Sequence, residues 1–188
     1  KVRNEVERLP FFFSYYRALG VDRFFIIDNG STDGTLKVLR DLSDCHTIFT
    51  TDKMSNARAG MDWIQPLLNQ YGQQRWCIVV DADELLVYPD SEVVPLPTFC
   101  RALDRVNADA YPCYMLDMYP DDDIDDIKYF PGQSFIEACP FFDATGYHRF
   151  ARKGKGPVVG PVIMGGPRVR MFYPELLDRR LHTRIKRR

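Results

Sequence analysis

The chain has 188 residues, 45% of them hydrophobic, which is enough to bury the core of one ordinary domain and excludes a disordered polymer. Lys and Arg number 25 against 26 Asp and Glu, and the net charge of -1 gives no global basis for binding nucleic acid. The five cysteines form no Cys-x-x-Cys pair, and their odd number argues against a disulfide framework. We therefore expect reduced thiols and a cytoplasmic protein.

The first part of the chain alternates predicted helices and strands. Pro10 starts a helix with apolar residues at helical spacing, and Gly20 ends it. The elements predicted after it are a strand at 24–27, a helix through Leu36, Leu39 and Leu42, a strand at 46–50, a helix at 57–71 with a kink or break at Pro66, a strand at 75–81 with a short continuation at 85–88, a helix at 97–106 and a strand at 110–117.

Beyond residue 119 the pattern becomes irregular. Acidic residues and Gly-Pro pairs predict loops, with short antiparallel strands at 158–164 and 169–173. We find no internal repeat and no low-complexity linker, so we expect a single domain over residues 1–188. Its residues 1–117 predict an α/β, three-layer, mainly parallel sheet, and residues 118–188 a more irregular part.

Three carboxylates follow directly after an apolar run. Asp81, Asp83 and Glu84 come at the end of residues 76–80, which predict a buried strand. Carboxylates at such a place repel one another unless a cation or a substrate offsets their charge. Asp28 ends an earlier predicted strand in the same way. Because parallel strands end at one edge of a sheet, we expect these acids to share a ligand site.

Three motifs occur in order along the chain: Arg3-Asn4-Glu5, the Ile-Ile-Asp-Asn-Gly-Ser-Thr-Asp-Gly-Thr stretch of residues 26–35, and the Val-Val-Asp-Ala-Asp-Glu stretch of residues 79–84. Together they resemble family 2 glycosyltransferases of the GT-A fold, in particular a bacterial branch with an Asp-Ala-Asp-Glu motif. The resemblance covers residues 1–118, and more loosely the Gly-Gly-x-Arg-x-Arg stretch after residue 164. It implies a Rossmann-like GT-A fold that binds a nucleotide-diphosphate sugar.

The resemblance implies a nucleoside pocket near the start of the chain. Asn4 and Glu5 follow the first strand of the fold, whose body is missing here, and Glu5 lies near the base or ribose. Asp28 contacts the nucleoside. The family commonly has a second acid where this chain has Asn29, so base recognition differs in detail.

Further contacts to the donor come from two turns. Ser31 and Asp33 belong to the turn that shapes the pocket wall, although Asp28 and Asp33 alone are also typical of turn and helix-cap positions. Arg168, beside the flexible Gly165-Gly166 turn, adds charge-assisted bonds to the diphosphate, and Arg170 is a further candidate.

The resemblance implies a metal site for Mn²⁺ or Mg²⁺ in the Asp-x-Asp motif. Asp83 binds the ion that bridges the donor diphosphate, and Asp81 faces the ribose or a metal-bound water. His182 is a candidate late ligand, against the alternative of an exposed histidine in a basic tail. The acids at 121–126 favour a solvated loop over a second metal site.

The catalytic base is not given by the resemblance. Family members usually carry a late Glu-Asp pair, and no Glu-Asp dipeptide occurs in this chain. The candidates in the second part of the chain are Asp117, Asp143 and Glu137, with His148 as a fourth.

The sequence therefore predicts metal-dependent, inverting transfer of a sugar to a hydroxyl acceptor, either a glycan or a lipid-linked molecule, in surface polysaccharide or glycoconjugate synthesis. Inversion follows from the resemblance. The alternatives are a non-catalytic nucleotide-sugar-binding module and a metal-dependent nucleotidyltransferase or phosphatase. No nucleic-acid partner is expected. Six Lys or Arg in residues 179–188 allow peripheral association with an anionic membrane, at its inner face.

Overall fold

The computed structural model describes residues 1–121, 128–150 and 162–174, and the fold is mixed α/β. The chain forms two compact units. The first unit comprises Lys1–Asp109 and Tyr129–Ser134, and the second comprises Ala110–Lys128 and Phe135–Arg188.

The first unit alternates helices and strands in the predicted order. Its elements are α1 (Leu9–Leu19), β1 (Phe24–Asp28), α2 (Thr35–Arg40), β2 (Cys45–Phe49), a 3₁₀ segment (Met54–Gly60), α3 (Met61–Tyr71) and α4 (Leu96–Arg105). The predictions for these helices and for the first two strands are confirmed to within a few residues.

Strand β1 is the central strand of the first unit. It pairs in parallel with β2, from Phe24 opposite Cys45 to Asp28 opposite Phe49. On its other edge, Val2 forms a parallel bridge with Asp28 through two backbone hydrogen bonds, Val2 N–H to Ile27 and Asn29 N–H to Val2. Among the described residues this parallel sheet has two strands, so the predicted three-layer sheet stays a prediction.

The core of the first unit is aromatic and lies between α1 and β1. Phe12, Phe13 and Tyr16 are buried on one face of α1, and the Phe13 and Phe24 rings meet edge to face at 4.9 Å. The helical spacing of these aromatic residues places them on one stripe facing the strand. The helix ends at Gly20, whose φ of 100° is left-handed and suits glycine.

The sequence predicted a kink or break at Pro66, but the irregular backbone lies before the helix. Helix α3 continues through Pro66, and the irregular backbone occurs at Ala57, Arg58 and Ala59, before the helix begins. Pro66 is the sixth residue of α3, so its missing N–H removes one intrahelical bond, to the Asp62 carbonyl, without ending the helix.

The predicted strand at 75–81 is not formed as a ladder. Residues 76–80 are irregular, and Val79 is 53% exposed. A continuous apolar run becomes a buried strand only when neighbouring strands lie on both sides of it. The structure gives this run no strand partner among the described residues.

The second unit has short elements. They are β3 (Met118–Tyr119), α5 (Phe135–Ala138), β4 (Phe141–Phe142), β5 (His148–Phe150), β6 (Val162–Met164) and α6 (Gly166–Phe172). β3 pairs antiparallel with β4, and β5 pairs antiparallel with β6. The predicted short antiparallel strands are thus found in part, at β6, while residues 158–161 lie outside the described residues.

Two strand predictions in this unit are wrong. Residues 169–173 lie mostly in helix α6, because Pro167 at the first turn favours a helix start over the β propensity of the residues that follow. Residues 110–117 are irregular and largely exposed, and the strand begins only at Met118. No helix in the described part of the chain has the length and hydropathy needed to cross a membrane.

Candidate functional site

Asp28 is a fully buried carboxylate at the carboxyl end of β1. Its side chain is 0% exposed, and its Oδ1 accepts hydrogen bonds from the backbone N–H groups of Gly30 (3.1 Å) and Ser31 (3.0 Å). Its Oδ2 has no hydrogen-bond partner among the described residues. A buried, unpartnered carboxylate oxygen is costly, and a hydrogen-bond donor on a ligand would satisfy it.

The turn after β1 is joined to the start of the chain by side-chain hydrogen bonds. The Asn4 N–H donates to Ser31 Oγ (2.9 Å), and Asn4 Oδ1 accepts from the Thr32 N–H (2.8 Å). The Glu5 N–H donates to Thr35 Oγ1 (2.9 Å). Asn4 and Ser31, which were predicted to bind the donor, therefore hold the two chain segments together.

Asp33 has the same structural role. Its Oδ2 accepts from the Val6 N–H (3.1 Å), and its Oδ1 accepts from the Thr35 hydroxyl (2.6 Å) and N–H (2.9 Å). Burial raises the pKa of Asp33, but these hydrogen bonds outweigh it and hold the pKa below its ordinary value. Asp33 is thus a turn residue, one position before the N-cap Gly34, and it accepts from the N–H of the first residue of α2.

Asn29 and Glu5 also have partners within the chain. Asn29 Nδ2 donates to the backbone oxygens of Thr50 (3.2 Å) and Asp52 (2.9 Å), next to the end of β2. Glu5 Oε2 accepts from Arg8 Nη1 at 2.7 Å, at the start of α1.

The residues after the acidic motif are anchored on α1. The Tyr16 hydroxyl donates to the Glu84 carbonyl (3.1 Å) and accepts from the Leu86 N–H (3.1 Å), while the Tyr15 hydroxyl donates to the Leu86 carbonyl (2.8 Å). Tyr16 is only 2% exposed, and Ala82 is buried as well. Residues 81–84, here named the acidic loop, are therefore fixed on the same helix that covers β1.

The three carboxylates of the acidic loop differ in their surroundings. Asp81 Oδ1 forms an ion pair with Lys1 Nζ at 2.8 Å, and Glu84 Oε2 accepts from the Asp81 N–H at 2.8 Å. Asp83 is exposed and makes no hydrogen bond or ion pair with any residue that the structure describes. Arg8 lies close enough for the charge of Asp83 to contribute to its raised pKa, after the larger effect of Glu5.

Asp28 and the acidic loop contact neighbouring residues at the start of the chain. Val2 pairs with Asp28, and the neighbouring Lys1 contacts Asp81. The predicted sharing of one site by these acids is consistent with this arrangement and stays a prediction.

The acidic loop could hold a metal ion only together with ligand groups from a substrate. Within the described residues, no group of three or more His, Cys, Asp or Glu side chains converges to hold an ion. Mg²⁺ and related ions are commonly held by one or two carboxylates together with substrate phosphates. Asp83, with Asp81 once it is released from Lys1, matches that second arrangement.

The second unit brings together four of its predicted site residues in two ion pairs. Arg168 Nη2 donates to Asp117 Oδ1 at 2.7 Å. Arg170 donates from Nε to Asp143 Oδ2 (3.2 Å) and from Nη2 to Oδ1 (3.1 Å). The Tyr119 hydroxyl also donates to Asp143 Oδ1 (2.9 Å), and this bond raises the pKa of Tyr119.

The remaining candidates are more dispersed. Glu137 lies exposed on the short helix α5, and His148 is half-buried in β5 opposite Met164. His182 lies outside the described residues, as do most of the acids at 121–126.

Sequence reasoning missed three contributors to these sites. Lys1 and Arg8 place cationic groups beside the acidic loop, which no local pattern shows. Tyr147 has a buried hydroxyl without a hydrogen-bond partner among the described residues, and burial, with the Asp143 and Asp117 carboxylates, raises its pKa. The Gly165-Gly166 pair was the available signal for Tyr147, because a side chain there would meet its ring.

No family model, curated protein or solved structure matches this chain.

Proposed function

We propose that the chain binds a nucleotide-diphosphate sugar with Mn²⁺ or Mg²⁺ at the acidic loop and transfers the sugar to a hydroxyl acceptor. Two groups of the first unit carry the proposal. Asp83 is exposed, Asp28 Oδ2 is buried, and neither has a hydrogen-bond partner among the described residues. One group suits a cation and the other suits a hydrogen-bond donor, and a nucleotide-sugar complexed with a metal supplies both.

The residues of the first unit divide the binding task. Asp28 Oδ2 is a buried acceptor with no partner among the described residues, so it accepts a hydrogen bond from the nucleoside once the groups that cover it move aside. Asp83 holds the cation, and Asp81 joins it when Lys1 is displaced. The bound cation offsets the negative charge that develops on the leaving diphosphate.

Transfer needs a group that removes the proton of the acceptor hydroxyl. Asp117, Asp143 and Glu137 remain the candidates. Asp117 and Asp143 each accept from an arginine, which orients them, whereas Glu137 is exposed and has no such ion pair among the described residues. We infer that the base is one of the two oriented carboxylates.

Thermal unfolding with a panel of UDP-, GDP-, CMP- and dTDP-sugars, with and without Mn²⁺, tests the proposal. At 100 times Kd a ligand stabilises the folded state by about 2.7 kcal/mol. For a chain of this size that is a rise of roughly 5–11 °C in the midpoint. We expect the rise with one donor class, and only when Mn²⁺ is present.

Asp83→Asn is the decisive variant, and Asp22→Asn is its matched control. Asp22 is also an exposed aspartate, but it precedes β1 and so lies at the opposite end of that strand. We expect Asp83→Asn to lose the Mn²⁺-dependent rise and Asp22→Asn to keep it. Equal metal-dependent shifts in the two variants would overturn the ligand assignment.

A non-catalytic binding module is the second candidate function, and one observation favours it. Both oriented base candidates, Asp117 and Asp143, are already occupied by arginines. Donor hydrolysis without acceptor separates the candidates. A transferase releases free sugar slowly from the bound donor, whereas a binding module returns the donor intact.

A further inference from the structure

The second unit contains a cavity of about 420 Å³ lined by polar and apolar groups. Its walls include Phe142, Asp143, Thr145, Gly166 and Arg170. We refer to this cavity as the Asp143 pocket. All of its lining residues belong to the second unit.

We propose that the Asp143 pocket binds a neutral pyranose with two adjacent hydroxyls, which, if the proposed function holds, is the acceptor. In that case the acceptor hydroxyl belongs to a sugar at the end of a glycan, and not to any hydroxyl compound.

The first support is the remaining hydrogen-bond capacity of the ion pair in the wall. A carboxylate accepts about four hydrogen bonds, and Asp143 uses two on Oδ1 and one on Oδ2. Arg170 has five N–H donors and directs two of them to Asp143. Adjacent hydroxyls match this pair, because one donates to Asp143 Oδ2 while its neighbour accepts from Arg170.

The second support is charge. Each arginine of the cluster is paired with an aspartate, Arg168 with Asp117 and Arg170 with Asp143. The pairs neutralise one another, so the pocket offers polar contacts without a net field for an anion. This favours a neutral polyol over phosphate.

The third support comes from two side chains of the pocket wall. Phe142 is 48% exposed and provides an apolar platform for the C–H face of a sugar ring. Thr145 is exposed, and its hydroxyl can donate to or accept from a hydroxyl of the sugar.

Titration of the whole chain with methyl pyranosides tests the proposal, followed by ligand-observed NMR. The probes are the methyl glucoside, galactoside and mannoside, with inorganic phosphate as the anionic probe. Neither nucleotide nor metal is added, so a failure here leaves the test of the proposed function unaffected. We expect saturable binding of at least one glycoside and weaker binding of phosphate.

Two variants, each with a matched control, assign the binding to the pocket. Thr145→Val removes one wall hydroxyl and should weaken glycoside binding about threefold, while Thr51→Val, at an exposed threonine of the first unit, should not. Phe142→Ala should weaken it about fivefold, while Phe172→Ala at an exposed phenylalanine should not.

Three results would overturn the proposal. They are no saturable glycoside binding, binding that Thr145→Val and Phe142→Ala both leave unchanged, and phosphate binding tighter than that of every glycoside. Circular dichroism of each variant establishes that it is folded. A variant that does not fold is replaced by Arg170→Lys, which removes the guanidinium donors from the wall and should lower glycoside affinity about threefold.

Discussion

Replacing Tyr16 by phenylalanine should loosen the acidic loop from α1. The substitution keeps the buried ring and removes only the hydroxyl, which contacts the Glu84 carbonyl and the Leu86 N–H. Two backbone groups would then lose their partner in a partly buried place. Leaving a buried polar group unsatisfied costs about 1–3 kcal/mol.

Because both contacts are only partly buried, we expect a total loss of about 2 kcal/mol in the free energy of unfolding. That corresponds to a fall of roughly 4–8 °C in the midpoint. Tyr15→Phe is the comparison, because the Tyr15 hydroxyl makes one bond to the same segment, to the Leu86 carbonyl. It should cost about half as much.

Urea unfolding of the three proteins measures these losses, provided that the slope with denaturant stays constant. Amide hydrogen exchange at Leu86 reports the local effect, and it should become faster in Tyr16→Phe. Two results together would refute this expectation: a free energy of unfolding of Tyr16→Phe within about 0.5 kcal/mol of wild type, which is the ordinary error for such a contact, and unchanged exchange protection at Leu86.

Two further predictions concern the scaffold of the first unit. Gly20→Ala should destabilise by more than about 1 kcal/mol and more than Gly30→Ala, because both glycines have positive φ but only at Gly20 would the new Cβ meet Pro97, at 2.8 Å; equal losses in denaturant unfolding would contradict this. The Arg17 guanidinium holds the pKa of Asp44 below its ordinary value, so the pair stabilises the fold above the unfolded pKa near 3.8, and the contribution is lost as pH falls through the lower folded value. Asp44→Asn should therefore unfold more easily than wild type at pH 7, and the difference should vanish in strong acid.

Local sequence signals predicted the elements whose limits are set locally. Pro10 and Gly20 bound α1 because the first suits the start of a helix and the second takes a left-handed φ at its end. The alternation of α1, β1, α2 and β2 follows from apolar periodicity.

The elements that depend on distant partners were predicted poorly. The run at 76–80 has the composition of a buried strand, but a strand exists only with a neighbour, and the neighbour is not a property of the run itself. At 169–173 the β-branched and aromatic residues favoured a strand, whereas the Gly-Pro start upstream set a helix.

For the candidate site too, the sequence predicted what depends on local signals and missed what depends on distant contacts. The sequence identified the carboxylates Asp28, Asp81 and Asp83, because their spacing after apolar runs is visible. It could not show that Asn4 and Ser31 bind each other across the turn, because that contact joins segments 27 residues apart.

The Lys1 ammonium group, which forms an ion pair with Asp81, competes with any added cation for that carboxylate. The ammonium group is attached to the chain next to Val2, which is fixed on β1, so it never diffuses away from the loop. A half-exposed pair of this kind is worth about 0.5 kcal/mol, which means that the paired form outweighs the open form roughly twofold. Any cation that needs Asp81 must wait for the open form, so its apparent affinity is lowered about threefold relative to a loop without the lysine.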